Sequence, residues 1–266
     1  MIDIEGFREY LYEEEMSANS INTYITGVKK YSEMFDEITK PNLIAYKKYL
    51  IDNFKPKTVN NRITAILNYC KFKDIPMKLK QVKEPKKTHI DNVISAEQFE
   101  KLISGLKADG NERWYAYVML LAKTGMRISE ALRVTKKDVI SGSVTMYTKA
   151  HMRTIYFPKS LIQDITPYLN KIEVNETIMQ NHKGTPITSR GVSGELKKYA
   201  DKYGIPREVV HPHSFRHFFA IEFLKRNSNI ALVADLLGHG SVNVTQLYLR
   251  QSQEQQKAAI DAAVDW

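Results

Sequence analysis

The sequence predicts a mainly α-helical protein of two domains, in which a helical bundle precedes a larger, mostly helical domain with a small antiparallel β-sheet. Three observations predict this class: the length, the helical spacing of apolar residues, and one pair of β-rich segments. At 266 residues, the chain exceeds the roughly 100 to 150 residues of a typical single domain. We expect a first domain at residues 1–78, a basic linker at 79–92 and a second domain at 93–266.

The helices of the first domain are predicted from apolar residues three and four positions apart. Pro41 and Pro56 stand where helices can begin, since the first turn of a helix tolerates proline. Several short helices packed as a bundle are therefore expected. Each of two buried stripes is marked by five residues: Ile21, Tyr24, Ile25, Val28 and Tyr31 in one, and Val59, Ile63, Ile66, Leu67 and Cys70 in the other.

A lysine-rich segment separates the two predicted domains. Pro76 and Pro85 discourage regular structure there, so a connector is expected. Such a charge run is usually solvated, but beside DNA it adds salt-sensitive affinity for phosphates, and the two interpretations are compatible. The segment's lysines are Lys71, Lys73, Lys78, Lys80, Lys83, Lys86 and Lys87.

The second domain is predicted to begin with a helix capped by Ser95, because Gln98 stands three residues later as in a capping box. An apolar helix follows at about residues 114–123 and ends near Gly125. Residues 144–147 and 154–157 are rich in β-branched and aromatic side chains, which predicts a hairpin around Lys149. Helices are expected after it.

The composition suits a polyanionic partner. Lysine and arginine outnumber aspartate and glutamate by 39 to 30, which gives a formal net charge of +9. Such a balance is typical of nucleic-acid-binding proteins, although a merely basic protein would share it.

We expect the protein to reside in a reducing compartment inside the cell. Cys70 is the one cysteine, so the chain cannot form an internal disulfide, and its helical spacing among apolar residues predicts a core position. The N-terminus lacks a signal-peptide pattern, and no apolar run is long enough to cross a membrane. We expect a soluble, cytoplasmic protein without a membrane partner.

Three short motifs between residues 124 and 248 point to one phosphoryl-transfer site. The first runs from Thr124 to Glu130 around Arg127, and the second is His213-Ser-Phe-Arg216-His217. The third is Leu-Leu-Gly-His239, which Tyr248 follows nine residues later. Together they resemble the tyrosine recombinase (integrase) family, whose signature holds T-G-x-R-x-S-E, H-x-x-R-H and L-G-H boxes and then a tyrosine. The resemblance covers residues 94–266 as the catalytic domain and, more weakly, most of the rest as the core-binding domain.

The resemblance implies that Tyr248 is the nucleophile and forms a covalent phosphotyrosyl bond. Arg127 and Arg216 would grip the non-bridging phosphate oxygens, because guanidinium forks match phosphate geometry and keep their charge. Taken alone, each of these residues would more often be an ordinary packing or surface residue. The agreement of three separated motifs is what selects them.

Three further residues would handle protons and charge. His213 would act as an acid or base near the nucleophile, and His239 would donate a hydrogen bond to a phosphate oxygen. Lys149 would protonate the departing 5′ oxygen. The turn around Lys149 lacks the glycine and asparagine usual in the family, so an ordinary solvated turn lysine is the alternative.

Supporting roles are expected for Glu130 and His217. Glu130, three residues after Arg127, would hold that guanidinium in place. His217, one helical turn from His213, would be a buried hydrogen-bonding residue. Arg153 matches a second basic position of the family's hairpin and, with the linker lysines, is expected to contact DNA.

For the whole chain, the resemblance implies a site-specific recombinase whose two domains close around double-stranded DNA as a clamp. Four subunits on two sites would exchange strands through a Holliday junction, with a 3′-phosphotyrosyl intermediate and no metal or other cofactor. The chain looks Xer-like or like a mobile-element integrase without an arm-binding domain. Its apolar C-terminal tail would dock into a neighbouring subunit.

Three alternatives stay open at this stage. His211, His213 and His217 are close enough for a zinc site, although Pro212 is expected to interrupt a helix there and no further ligand stands nearby. A DNA-binding protein without chemistry would explain the charge but not the motifs. A type IB topoisomerase resembles the family in its tyrosine and arginines, but relaxes supercoils without pairing sites. Target sequence, accessory proteins and biological role are not readable from the sequence.

Overall fold

The computed structural model describes residues 2–85, 90–147, 152–238, 248, 261 and 264. The chain divides into two compact units, Met1–Lys86 and Lys87–Trp266. The structure is mostly helical, and the strands within the described ranges form one two-stranded antiparallel sheet, so the predicted fold class is confirmed. No described helix is long and apolar enough to cross a membrane.

Four helices build the first unit: α1 (Ile4–Glu13), α2 (Ala18–Ser32), α3 (Lys40–Asn53) and α4 (Pro56–Phe72). The sequence specifies where they begin. The side chains of Ser17 and Thr39 accept hydrogen bonds from backbone N–H groups in the first turns of α2 and α3. Pro41 and Pro56 lie in the first turns of α3 and α4, as predicted.

Helices α2 and α4 pack closely because Gly27 presents no side chain to its neighbour. A Cβ atom built on Gly27 would lie 2.7 Å from the Cβ of Ala65. The Tyr46 hydroxyl donates to the Gly27 carbonyl oxygen at 3.1 Å, which ties α3 to the same point. Buried aromatic rings, including those of Phe7 and Tyr31, fill the remaining core.

The chain after α4 lies along the first unit as an extended strap. The Asn60 side chain holds it by both of its polar atoms: Oδ1 accepts from the Val82 N–H at 2.8 Å, and Nδ2 donates to the Val82 carbonyl at 3.0 Å. Two lysines near its start are paired within the unit, Lys71 with Glu14 and Lys73 with Asp3. All the described lysines of the basic segment are exposed: Lys71, Lys73, Lys78, Lys80 and Lys83.

The second unit is built around α6 (Glu112–Thr124), which is buried on all sides. Before it, α5 (Ala96–Ala108) begins with the predicted capping box of Ser95 and Gln98. The other elements are α7 (Ile128–Ala131), α8 (Lys136–Ile140), β1 (Ser143–Tyr147), β2 (Met152–Tyr156), α9 (Lys159–Leu169), α10 (Ser189–Lys202), a 3-10 turn (Arg207–Val209), α11 (Pro212–Arg226) and α12 (Ile230–Leu237).

The sheet brings one basic side chain toward the interior. Strands β1 and β2 pair so that Met146 lies opposite Arg153, and both are buried. The inward position of Arg153 follows from the alternation of faces along a strand, since Ile155, two residues later, is also buried. Helices α11 and α12 pack against each other through a small apolar cluster that includes Ala220 and Leu237, and α12 lies beside β2.

Two glycine-to-alanine substitutions of identical chemistry are expected to change stability in opposite directions. Gly194→Ala should raise the free energy of unfolding by about 0.5–1 kcal/mol, because the site is helical and open. Gly27→Ala should lower it by about 1–3 kcal/mol, because the new methyl group overlaps Ala65. Residue-resolved amide hydrogen exchange reports each unit separately. Equal stabilisation by both variants would contradict the close approach of α2 and α4.

Candidate active site

The C-terminus of α12 is held by three arginines from three different elements. The final carbonyl groups of a helix lack partners within the helix and lie at the negative end of its dipole, so cations suit them. Each arginine donates to one of three successive carbonyl oxygens: Arg153 to Leu236, Arg216 to Leu237, and Arg127 to Gly238.

Two glycines in left-handed conformation make this arrangement possible. Gly238 ends α12 at φ 59°, and a Cβ atom there would lie 2.6 Å from Cδ of Arg153. Gly125 ends α6 at φ 61°, and its carbonyl oxygen accepts from Nη1 of Arg216 at 2.7 Å. Both glycines are therefore required by conformation and by the close approach of a neighbouring side chain.

Glu130 is the buried anion among these arginines. Its side chain is 1 % exposed and forms ion pairs with Arg127 and Arg153. Its Oε2 also accepts from the Arg127 backbone N–H at 2.6 Å. Burial alone would raise the pKa of the Glu130 carboxyl, but the hydrogen bonds from Arg153 and Arg127 and their charges hold that pKa below its usual value.

The cluster has more positive than negative charge. Three guanidinium groups surround the single carboxylate of Glu130. Burial, and then repulsion from Arg127 and Arg153, lower the pKa of Arg216 to about 9. Arg216 is 2 % exposed, whereas the Arg127 side chain is 39 % exposed and forms the open side of the cluster. An anion that binds beside Arg127 would relieve this repulsion.

Tyr248 lies against this cluster and contacts a histidine. Its hydroxyl oxygen is 2.8 Å from Nδ1 of His217 on α11. The ring packs against the apolar cluster of α11 and α12. Burial raises the pKa of the Tyr248 phenol, and the charge of Arg216 partly offsets the increase. The phenol is therefore protonated near neutral pH and needs a base to become a nucleophile.

His213 extends the same face of α11, with its ring centroid 4.9 Å from that of His217. Burial and the nearby charge of Arg216 lower the pKa of His213, so its neutral form is favoured near pH 7. His211 caps α11 instead, since its Nδ1 accepts from the Ser214 N–H at 3.1 Å.

The expectation that Pro212 interrupts a helix is wrong: Pro212 is the first residue of α11, where proline is tolerated. His213 and His217 therefore share one helical face. Within the described ranges, however, no group of three or more His, Cys, Asp or Glu side chains is arranged to hold a metal ion.

The structure brings together Arg127, Glu130, His213, Arg216, His217 and Tyr248. Arg153 was expected to contact DNA. The structure instead buries it, because its position on β2 faces inward, and its guanidinium hydrogen-bonds to Glu130 and to the Leu236 carbonyl oxygen. Lys149, His239, Lys86 and Lys87 lie outside the described residues, as does most of the C-terminal tail.

Sequence reasoning missed two contributors to the site. One is the run of carbonyl groups at the end of α12, although Gly238 directly after an apolar helical pattern is a helix-end signal. The other is the ion pair of Arg153 with Glu130. Those two residues lie 23 positions apart, and no local pattern joins a strand residue to a short helix.

The phage integrase family matches this chain over residues 92–255, which is more than half of its length. The chain therefore belongs to the phage integrase family. It is a tyrosine-type site-specific DNA recombinase, an enzyme class that breaks and rejoins DNA strands. The family resemblance seen in the sequence is thus confirmed.

Named relatives match three quarters of the chain or more. Tyrosine recombinase XerA of Thermococcus kodakarensis is 26 % identical over 98 % of this chain and 94 % of its own length. Tyrosine recombinase XerC of Rickettsia massiliae is 30 % identical over 76 % of this chain and 71 % of its own.

Solved structures share the fold at lower identity. The Tn1549 transposon integrase in complex with transposon right end DNA superposes with a TM-score of 0.73 at 15 % identity, covering 99 % of both chains. The XerH recombinase in its post-cleavage complex with difH gives a TM-score of 0.71 at 21 % identity, covering 90 % of this chain and 79 % of that one.

Removing the buried anion should destabilise the second unit. Glu130→Gln leaves Arg153 buried without its counter-charge, so we expect a loss of about 3 kcal/mol in the free energy of unfolding near pH 7. The matched control is Glu222→Gln, whose partners Lys225 and Arg226 are exposed, and it should cost less than about 1 kcal/mol.

The difference in the free energy of unfolding between the wild type and Glu130→Gln should disappear at acid pH. The pKa of Glu130 is lowered on folding, so its stabilisation is complete above the usual carboxyl value of 4.5 and is lost as pH falls through the folded value. Urea unfolding at several pH values measures this. A difference that stays constant down to pH 2 would contradict the charged role of Glu130.

Proposed function

We propose that this protein recombines double-stranded DNA at specific sites through a Tyr248 nucleophile. The proposed role is integration or excision of a mobile element, or resolution of dimers, through a Holliday junction. The observation that carries the proposal is the excess of arginine charge near the partly buried phenol of Tyr248. A phosphodiester is the anion that such a pair of features fits, because the arginines stabilise charge while the tyrosine attacks.

The proposed cleavage step exchanges one phosphoester bond for another. The Tyr248 oxygen bonds to phosphorus, and the bond from phosphorus to the 5′ oxygen breaks, so the DNA keeps a 3′-phosphotyrosyl end. The tyrosine proton leaves to a base, and the departing 5′ oxygen gains a proton from an acid. Because the new bond is similar in energy to the old one, the reverse step rejoins DNA without an added energy source.

Arg127 and Arg216 are proposed to stabilise the charge of the pentavalent phosphorus. Arg127 is the better placed for direct contact, since its side chain is partly exposed. Arg216 donates to two carbonyl oxygens and, being buried, contributes its positive charge from the interior of the site. Glu130 and Arg153 hold Arg127 and the end of α12 in position. Lys149 remains proposed as the general acid, and His239 as a hydrogen-bond donor to a phosphate oxygen.

The two histidines of α11 are proposed to divide the proton chemistry at the nucleophile. His217 contacts the Tyr248 hydroxyl directly at 2.8 Å. His213, one helical turn earlier and exposed, has its ring centroid 4.9 Å from that of His217 and a lowered pKa that favours a neutral ring. We propose that His217 orients the phenol and accepts its proton, and that His213 tunes this exchange.

DNA and a second copy of the chain are the proposed partners. The relatives of known structure include a λ integrase dimer bound to a core site and the DNA complexes of XerH and the Tn1549 integrase. We propose that this chain likewise assembles on DNA, with a tetramer on two paired sites. The exposed lysines of the basic segment would contact phosphates.

The nucleophile is tested by trapping the covalent intermediate. Nicked suicide duplexes drawn from a random-site pool should give a denaturation-resistant adduct with the wild type. Tyr248→Phe should give none, because it keeps the ring but lacks the attacking oxygen. Tyr12→Phe, at an exposed position of the first unit, should form the adduct at the wild-type level.

Other results of the adduct-trapping experiment would each support a different conclusion. An adduct that persists in Tyr248→Phe would show that another residue attacks. Duplex binding without any adduct would favour a DNA-binding protein without chemistry. Relaxation of any supercoiled plasmid, with no recombination of the trapped sequences placed on synthetic substrates, would favour a topoisomerase.

Removing the His217 contact should slow cleavage rather than binding. His217→Ala is expected to reduce the single-turnover rate of adduct formation roughly 10²-fold at pH 7. The reduction should shrink at higher pH, because the phenol of Tyr248, whose pKa is raised, then loses its proton without a base. His217→Asn places an amide near the position of Nδ1 and should recover part of the rate.

The control for this prediction is His182→Ala, which alters an exposed histidine away from α11. It should leave the rate unchanged. A His217→Ala rate loss that is equal at all pH values would instead indicate that His217 only supports the packing of α11.

A further inference from the structure

A buried serine in the motif around Arg216 hydrogen-bonds to a distant part of the second unit. Ser214 is fully buried, and its Oγ accepts from the Ile94 backbone N–H at 2.8 Å. The two residues lie 120 positions apart. The proposed cleavage chemistry uses His213 and Arg216, on either side of Ser214, but gives Ser214 itself no part.

The chain segment that donates this bond is itself fixed. It follows the basic linker and leads directly into α5. Asn92 is in left-handed conformation at φ 58°, the Ile94 side chain is buried in the core, and Ser95 caps α5. Four residues after Ser95, Phe99 stacks on Phe218 of α11, with the ring centroids 4.7 Å apart. The Ile94 N–H is therefore a fixed anchor for the start of α11.

His211 joins the same segment to α11 from the other side of His213. It is the N-cap of α11, and its Nδ1 accepts from the Ser214 N–H at 3.1 Å. Burial lowers the pKa of the His211 ring, and hydrogen bonds to the backbone of Asn92 and Glu208 partly offset that decrease. The neutral ring that the cap requires is thus favoured. His211 and Ser214 together attach the first turn of α11 to the segment before α5.

His213 lies between these two anchored residues and is itself exposed. Its ring contacts that of His217, with the centroids 4.9 Å apart. The first N–H groups of a helix lack partners within the helix, so helix ends fray. Arg216, by contrast, is held by its own guanidinium, which donates to the carbonyl oxygens of Gly125 and Leu237. The position of His213 therefore depends on the backbone that carries it.

We infer that Ser214 and His211 are positioning residues that hold His213 in place for cleavage, by attaching the first turn of α11 to the segment before α5. The inference rests on the proposed function, in which His213 tunes proton exchange at Tyr248. Neither residue has to touch DNA or the nucleophile, since each acts through the backbone beside His213. A hydrogen bond that only stabilised the fold would leave the cleavage rate of the folded protein unchanged, so experiment can separate the two roles.

The single-turnover rate of adduct formation tests the inference with the full chain, on a duplex selected by the trapping experiment. Ser214→Ala leaves the buried Ile94 N–H without an acceptor, so the first turn of α11 should loosen. We expect the rate to fall roughly tenfold, while the affinity for duplex stays at the wild-type value. His211→Ala should cause a loss of similar size, and His211→Asn, which keeps a side-chain cap, should recover part of it.

A double-mutant cycle shows whether Ser214 acts through His213. If Ser214 only positions His213, Ser214→Ala should cause no further loss of rate in a chain that already carries His213→Ala. The wild type, the two single variants and the double variant supply the four rates. Losses that multiply, as they do for independent sites, would overturn the inference.

Thr135→Ala is the matched control. Thr135 is the N-cap of α8 in the same unit, and its Oγ1 likewise accepts a backbone N–H, that of Asp138 at 3.2 Å. Its removal should lower the midpoint of urea unfolding, as Ser214→Ala does, but leave the rate of adduct formation unchanged. An equal loss of rate in Thr135→Ala would show that Ser214 is an ordinary stabilising contact, and the inference would fall.

Failure of this inference is distinguishable from failure of the proposed function, because NMR titration of the His213 ring requires no cleavage. Burial and then the charge of Arg216 lower the pKa of His213. That pKa should rise toward its usual value in Ser214→Ala and stay unchanged in Thr135→Ala. This rise without any wild-type adduct would remove the proposed function and leave the anchoring of His213. A wild-type rate and an unchanged His213 pKa in Ser214→Ala would leave recombination standing and overturn the inference.

Discussion

The buried Glu130 carboxylate is the constraint on which the candidate active site depends. Within the described ranges it is the anion that lies among three guanidinium groups, and it pairs with Arg127, directly before α7, and with Arg153 of β2. Because both arginines also reach the end of α12, this carboxylate connects three elements that are distant in sequence. Replacing it with a neutral group would leave positive charges repelling one another at the point where the elements meet.

The same contacts explain why two of the three motifs contain a glycine as well as why two contain an arginine. A helix end supplies carbonyl acceptors only where the chain turns away sharply, and a left-handed glycine allows that turn. Gly125 and Gly238 provide two such ends, and Arg216 donates to the carbonyl of Gly125 and to that of Leu237, next to Gly238. The motifs therefore encode a packing unit as well as reactive groups, since each arginine needs a helix end to hold it.

Local patterns predicted much of the fold, because periodicity, caps and prolines act within a few residues. The helix start at Ser95, the proline positions at Pro41 and Pro56, and the two-stranded hairpin all followed from such signals. Contacts between distant elements did not follow. Arg153 was expected to face DNA, since neither its inward strand position nor its pairing with Glu130 is a local property. Pro212 was misjudged because proline both ends and begins helices, and only packing decides between them.

Because Arg127 anchors Gly238, Tyr248 is tethered by a short length of chain to the site that it contacts. Tyr248 stands ten positions after Gly238, and ten residues of chain span at most about 36 Å. A group confined to such a volume has an effective concentration on the order of millimolar. A tyrosine offered by another copy of the chain would have to outcompete that concentration. If Tyr248 is the nucleophile proposed above, the anchored end of α12 favours the use of the tyrosine from the same copy of the chain over that from another copy.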